Sequence, residues 1–432
     1  MKLTRRDVLG YGTAITAATA IGAPYVKAQT PTQLSVMTYE SLPTTKEVLG
    51  KQLAEFESAN PGVKVTPLFT SGEALRTQVA SMLQSGLAPD VVMLDLEDTL
   101  LYSRTGLLDP VTDIVSKIPA IPDRFRARVD GQDYFVPVGV KFTYSWYRTD
   151  LFEKAGLQPP KNWTEMEAAA AKLTSGGQYG FVVSSAETFD YPVSELMSYS
   201  YGNGVEFVDD AGNVVFDQGD NKKALAETLA FLKRMSKYSP NGANLQWGAV
   251  IDAYVSGRAG MVDFIGARLR AIALQNNAEV GKVTKPMRQP FGKAPGNRLS
   301  VQGYQVFKNG KNKEMSRKLV AFLTERQRNL DFLWSSSLHV LPVSRDAFAG
   351  PYRNAEVVKA NPDILKAIDD SWDAGHSPVY DLKGTKPNWQ RVRLFTSTTY
   401  NKIIAGVIQG DQKPEEAIEQ GAAAARALLK RG

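Results

Sequence analysis

Residues 34–94, LSVMTYESLPTTKEVLGKQLAEFESANPGVKVTPLFTSGEALRTQVASMLQSGLAPDVVML, decide the fold class. Leu34-Ser35-Val36-Met37 reads as a strand, and in the helix after it Leu49, Leu53 and Phe56 recur at helical spacing. Thr44 with Glu47 three residues later predicts a capping box at its start. Asn60-Pro61-Gly62 ends this helix, and Val63-Lys64-Val65 alternates as a second strand. Leu75, Val79, Met82 and Leu83 give the next helix one apolar face, and it stops at Gly86. Pro89 to Leu94 carries a continuous apolar run, suited to a strand covered on both faces. Strand, helix, strand, helix, strand implies a parallel sheet with right-handed crossovers, so the class is α/β.

The pattern repeats downstream. Tyr134 to Val138 opens a second region, with a capping box predicted at Thr164-x-x-Glu167 and Trp163 placed to staple it. A strand is expected over Gly180–Val183, and a hairpin over Glu206–Asp217 that turns at Asp209–Asn213. Helices are expected over Asn221–Tyr238, Lys313–Trp334 and Pro414–Lys430, the last with proline in its first turn and basic residues at its end. Two α/β units without a flexible connector suggest two lobes joined by short crossing strands.

The chain has 432 residues, 43% hydrophobic and 22% charged, which is ordinary globular composition. It has no cysteine, which excludes disulfides, thiolate metal sites, cysteine nucleophiles and a lipidated cysteine anchor. Its two histidines, His339 and His376, are far apart, so no histidine-rich metal site and no cofactor are expected. Residues 1–28 have a basic start, an apolar stretch from Val8 to Ala23 and the ending Val26-Lys27-Ala28, the plan of an export signal. Thr4-Arg5-Arg6-Asp7-Val8-Leu9 resembles the twin-arginine export motif. The expected compartment is the periplasm. The net charge of +6 falls by about half once the leader is removed, and the remaining cations are scattered, which argues against nucleic acid as a partner.

Several stretches carry a resemblance across nearly the whole mature chain: FESANPGVKV (56–65), GLAPDVVML (86–94), GLLDP (106–110), DGQDYFVPV (130–138), WYRTDLFEKAG (146–156), NWTEMEAAAAKL (162–173), SGRAGMVDFIG (256–266), GYQVFK (303–308) and LPVSRDA (341–347). In this order they resemble the large, sugar-type extracellular solute-binding proteins of ATP-driven importers, the group that includes maltose-binding protein. The resemblance implies a two-lobed periplasmic-binding-protein fold of type II-like form. Each lobe would be a mainly parallel sheet flanked by helices, and hinge strands would join them. By analogy, residues 29–140 and 298–336 form lobe one, and residues 141–297 and 337–432 form lobe two. The implied work is ligand capture by hinge closure, with no catalysis. The implied partners are a carbohydrate or polyol and the permease subunits of an inner-membrane ABC transporter, and the chain is expected to be a monomer.

Such a ligand needs polar side chains that pair with its hydroxyls and aromatic faces that cover its C–H surface. In open α/β sheets these gather after the carboxyl ends of strands. That rule selects Tyr39, Glu40 and Ser41 after the first strand, and Asp95, Glu97 and Asp98 after the third. Asp95 and Asp98 read as acceptors of ligand hydroxyls, with caps of the helix that follows as the alternative. Lys141 and Tyr144 follow the strand ending at Val138, Ser184 and Ser185 follow Val183, and Trp247 lies in a glycine-containing loop. The resemblance adds Gly266 and Arg268, in a segment where relatives often carry a glycine and a tryptophan. It also adds Gln302, Gly303 and Tyr304 on a hinge strand, and His339 where an aromatic side chain sometimes closes over the sugar. Arg268 and Lys141 raise an alternative ligand, an anionic sugar derivative that is sulfonated, phosphorylated or acidic. A second alternative is an exported glycoside-processing enzyme using Asp95 or Glu97 with Glu187.

Overall fold

The computed structural model describes residues 31–187, 191–240 and 245–431. The expected leader, residues 1–28, lies outside them. Strands β1 (Thr32–Thr38), β2 (Val63–Phe69) and β3 (Val91–Asp95) form where the sequence predicts, and β1 runs parallel to both of the others. Alternation along these strands divides their side chains between two layers. Val36, Val91 and Met93 share a cluster with Leu49, Leu53 and Phe56 of helix α1 (Pro43–Ala59). Met37, Val92 and Leu94 share another with Leu75 and Val79 of helix α2 (Gly72–Gln84). This is why the third strand carries no polar alternation. Helix α3 (Leu96–Arg104) then starts directly at the end of β3.

The two halves of the chain are stitched by long strands. Strand β4 (Val136–Arg148) changes partners midway. It continues into the second half, where it pairs with β5 (Met261–Ile265) and β6 (Thr284–Arg288) over Thr143–Arg148. Its first part, Val136–Phe142, pairs with β7 (Asn297–Val306), and β7 in turn pairs with β3. The strand order is therefore β2-β1-β3-β7-β4-β5, with β6 also on β4. The fold is α/β and two-lobed, as expected. The strand sense in the second half differs from expectation, because β4 is antiparallel to both neighbours there. A strand that arrives from the first half has its direction fixed on entry, and β5 and β6 return against it. The second core gathers helices Gly219–Ser236, Thr399–Ile408 and Pro414–Lys430, through Leu225, Leu229, Ile404 and Ile418.

Other differences are local. Helix α1 begins with Pro43 in its first turn and has no side-chain cap, and the Thr44 hydroxyl instead donates to the Ser335 carbonyl at 2.7 Å. Asn162, not Thr164, caps the helix Trp163–Leu173, accepting from the Glu165 backbone N–H at 3.0 Å. Gly180–Val183 forms no strand ladder: the Val183 N–H donates to the Ser239 hydroxyl at 2.9 Å. The expected hairpin closes at one bridge, Val208 with Val214. The span read as one helix over Lys313–Trp334 is two, Lys313–Leu323 and Arg326–Ser335, because the Glu325 carboxylate caps the second.

Candidate functional site

A cavity of about 690 Å³ lies where the two halves face each other, and it is lined from both of them and from the crossing strands. Its first wall is polar. Tyr39 follows β1, Asp95 ends β3, Arg76 projects from α2, and Lys141 sits on β4. These four form one buried network. The Tyr39 hydroxyl lies 2.7 Å from Asp95 Oδ1 and accepts from Lys141 Nζ at 2.8 Å. Lys141 Nζ is also 3.4 Å from Asp95 Oδ1, and Arg76 Nη2 donates to Asp95 Oδ2 at 3.1 Å. Burial opposes the Asp95 charge, but Lys141, Arg76 and the Tyr39 hydrogen bond outweigh it and hold the carboxyl well below the usual range. Arg76 Nε meanwhile takes both oxygens of Asp98, at 3.1 and 3.0 Å.

The opposite wall is largely apolar. Trp247, Ile251, Phe264, Ile265 and Ile272 line it. Trp247 meets Phe264 edge-on with ring centres 5.4 Å apart, so the pair presents a fixed aromatic corner. Trp247 opens the helix Trp247–Val255 and does not lie in a loop. Where the walls meet, Arg268 Nη1 donates to Glu40 Oε2 at 3.1 Å, and His339 Nε2 lies 3.5 Å from Glu40 Oε1. Burial works against the Glu40 charge, yet the His339 contact and the charges of Arg268 and Lys141 keep its carboxyl far below the ordinary range. Burial also pushes His339 down to about 4, despite Glu40, so the imidazole is neutral near pH 7.

Of the residues picked from the sequence, Tyr39, Ser41, Asp95, Lys141, Trp247, Arg268 and His339 line this cavity. Glu40 stands just behind it, gripping Arg268. The remaining picks do other work. Glu97 is buried behind the wall against Arg298 at 3.5 Å, and burial pushes its carboxyl up to about 7 against the pull of Arg298. Tyr144 is three positions from Lys141, and an odd spacing on a pleated strand turns it to the other face, where it joins the core. The Ser184 hydroxyl donates to the Leu245 carbonyl, which anchors the segment leading to Trp247. Gln409 Nε2 donates to the Ser185 carbonyl and hydroxyl at 2.7 and 3.2 Å.

The three residues of the hinge strand are packed, not presented. Gln302 is fully buried with Oε1 3.2 Å from the Tyr39 hydroxyl, so it supports Tyr39 from behind. A β-carbon on Gly303 would sit 2.2 Å from the Val136 carbonyl oxygen, and Tyr304 is a core residue. Gly266 has a positive φ of 76°, and a β-carbon there would fall 1.9 Å from His339 Nδ1, so glycine lets the imidazole seat. Neither Asp95 nor Asp98 serves as the expected helix cap: Asp95 stands at that position but makes no capping hydrogen bond.

Sequence reasoning missed Arg76, Arg298, Ser300 and the isoleucines of the apolar wall, which all line the cavity. Arg76 was within reach of the strand-end rule, since its helix begins shortly after β2 ends. Ile265 ends β5 and obeys the same rule. Arg298 lies at the opposite end of its strand, where the rule gives no signal.

Comparison with known proteins fits this geometry. A protein of Brucella abortus (strain 2308) described as a binding protein is 25% identical over 398 residues, which is 87% of this chain and 88% of that one. Among solved structures, a solute-binding protein of an ABC transporter from Thermotoga lettingae, bound with α-D-tagatose, superposes with a TM-score of 0.78. That match is at 20% identity and covers 92% of this chain and 100% of that one. A solute-binding protein from Agrobacterium vitis with bound D-mannitol gives a TM-score of 0.72 at 20% identity, covering 92% and 98%. A sequence profile of bacterial extracellular solute-binding proteins matches residues 40–327, and the chain belongs to that family.

Proposed function

We propose that the chain is the periplasmic binding component of an ATP-driven importer and captures a polyhydroxylated ligand, a carbohydrate or polyol, between its lobes. The observation that carries this reading is the cavity itself, a polar wall from one half facing the Trp247–Phe264 corner from the other. A sugar ring or extended polyol has this same division, hydroxyls on its rim and C–H bonds on its faces. Relatives of the same fold that hold tagatose and mannitol support it. Ligand touching both halves shifts an open–closed equilibrium by its differential affinity, and the closed form is what a permease would receive. The lobes proposed are residues 29–140 with 298–336, and 141–297 with 337–432. In support, β4 trades β7 for β5 between Phe142 and Thr143. The reading includes no turnover and a monomeric chain. Against a glycosidase pair stands the pairing of Asp95 and Glu97 with Lys141, Arg76 and Arg298.

A thermal-shift screen of the mature chain against monosaccharides, disaccharides, polyols and sugar acids tests the reading. At least one compound is expected to raise the midpoint, because ligand bound only to the folded state stabilises it. Trp247→Ala should then weaken that compound by roughly 10-fold or more. No shift with any polyhydroxylated compound sinks the reading, and unchanged affinity in the variant removes Trp247 from the site. The export part has its own test. Arg5→Lys with Arg6→Lys is expected to leave unprocessed protein in the cytoplasm of a Gram-negative host, and normal export of this double variant would refute the twin-arginine route.

A further inference from the structure

The carboxylates around the cavity are mostly paired, although Glu40 Oε1 and Glu97 Oε2 keep no hydrogen-bond partner. Asp95 takes Tyr39, Lys141 and Arg76, Asp98 takes Arg76, Glu40 takes Arg268, and Glu97 faces Arg298. Among the described lining residues only Glu73, exposed on α2, is a carboxylate outside these pairs. Neutral hydroxyls both donate and accept, so open carboxylate oxygens would serve their O–H groups, while donors serve hydroxyl oxygens and anions alike. The donor-bearing residues Lys46, Arg76, Lys141, Arg268, Arg298 and Ser300 outnumber the carboxylates in the cavity lining.

Three of those donors share one patch. Lys141 on β4 is directly opposite Ser300 on β7, and Arg298 lies two residues from Ser300 on the same strand face. All three line the cavity and are at least nine-tenths buried. The Ser300 hydroxyl and Arg298 Nε have no hydrogen-bond partner. Arg298 otherwise spends Nη1 on the Ser194 hydroxyl at 3.1 Å, reaches Glu97 only at 3.5 Å and lies over the Phe395 ring at 5.1 Å. Because burial drives Glu97 toward its neutral form, this neighbour gives Arg298 only part of a counter-charge near neutral pH, and the Asp95 carboxylate supplies more without a direct hydrogen bond. A buried cation in that state is costly unless an anion joins it.

We propose that the cleft selects an anion-ended polyhydroxylated ligand, a sugar acid or sugar phosphate, whose charged group sits on Lys141, Ser300 and Arg298 while its C–H face lies against Trp247 and Phe264. This rests on the solute-binding reading above and narrows it to a substrate class. The guanidinium supplies its unpartnered Nε–H and its charge to a carboxylate or phosphate, Lys141 a point charge and Ser300 a hydroxyl. The aromatic corner opposite is indifferent to charge and grips the carbon skeleton.

Isothermal titration calorimetry of the mature chain with two matched pairs tests this: D-glucose against D-glucose 6-phosphate, and D-glucitol against D-gluconate. In at least one pair the anion is expected to bind about 10-fold tighter or better, with the gap narrowing as salt is raised. Arg298→Met should lose about 10-fold more affinity for that anion than for its neutral partner. Lys141→Met should act in the same direction, and it serves if the Arg298 variant does not fold. Equal or weaker binding of both anions overturns the inference, as does failure of both to bind. An unchanged preference in the folded variants overturns the assignment of these residues. If neutral compounds bind and anions do not, the inference falls and the solute-binding reading stands. If nothing in the pairs or the wider screen binds, both fall.

Discussion

Asp95→Ala is expected to lower the unfolding free energy by about 3 kcal/mol and to weaken ligand capture together, measured by urea unfolding and calorimetry on the same preparation. The reason is connectivity. Asp95 is 7% exposed and joins Arg76, Lys141 and Tyr39, so its removal strands a buried ammonium and takes one carboxylate from Arg76. Removing one partner of a buried pair costs more than the pair itself contributes, because the survivor keeps its desolvation penalty. Adding Lys141→Met to the same chain should therefore recover part of the loss, a non-additivity that a double-mutant cycle reads directly. The pH dependence has a definite sign. The folded carboxyl titrates below its unfolded value of about 3.9, so this contribution is complete above that pH and disappears as acid is added. A loss under about 1 kcal/mol, or losses that simply add, would show that the network is not a unit.

Gly303→Ala is expected to cost about 3 kcal/mol or to prevent folding, though it adds a single methyl group. That methyl would meet the Val136 carbonyl at 2.2 Å and the Phe135 ring at 2.8 Å. A backbone oxygen has no rotamer through which to retreat, so β4 and β7 must separate where they join the lobes. Gly50→Ala is the matched comparison. It lies inside α1 with nothing within 4 Å of the added carbon, and there the substitution should stabilise by about 0.5–1 kcal/mol. Urea unfolding of the two variants separates the cases. Similar midpoints would mean that the strand crossing yields easily.

The order of strands and helices over residues 32–95 was legible because each apolar residue there serves one layer and keeps its period. Val36 and Met37, adjacent in sequence, pack on opposite layers as a doubly covered strand requires. Helix starts were less legible, since the predicted capping residues Thr44 and Thr164 were displaced by Pro43 and Asn162. Gly180–Val183 has strand composition but finds a side chain where a neighbouring strand would be. At the site, residues after strand ends were found by rule, since Tyr39, Ser41 and Asp95 line the cavity, and the resemblance added Arg268 and His339. What the sequence did not reveal was pairing. Arg76 and Arg298 stand far in sequence from their partners or carry no local signal of them, and only the fold brings one against Asp95 and Asp98 and the other against Glu97. Gln302, Gly303 and Tyr304 came from the resemblance, and here their strand turns them into packing.

Strand β7 lies between β3 and β4 yet follows the start of β4 by more than 150 residues of sequence. During synthesis on the ribosome, the edges of β3 and β4 that it will occupy stay open until the polypeptide has been made past residue 306. At about 5–20 residues per second, that interval lasts on the order of ten seconds or more, with apolar strand edges waiting. The nascent chain thus has a built-in demand for chaperone cover, one that ends when a single late ten-residue segment is threaded into the gap.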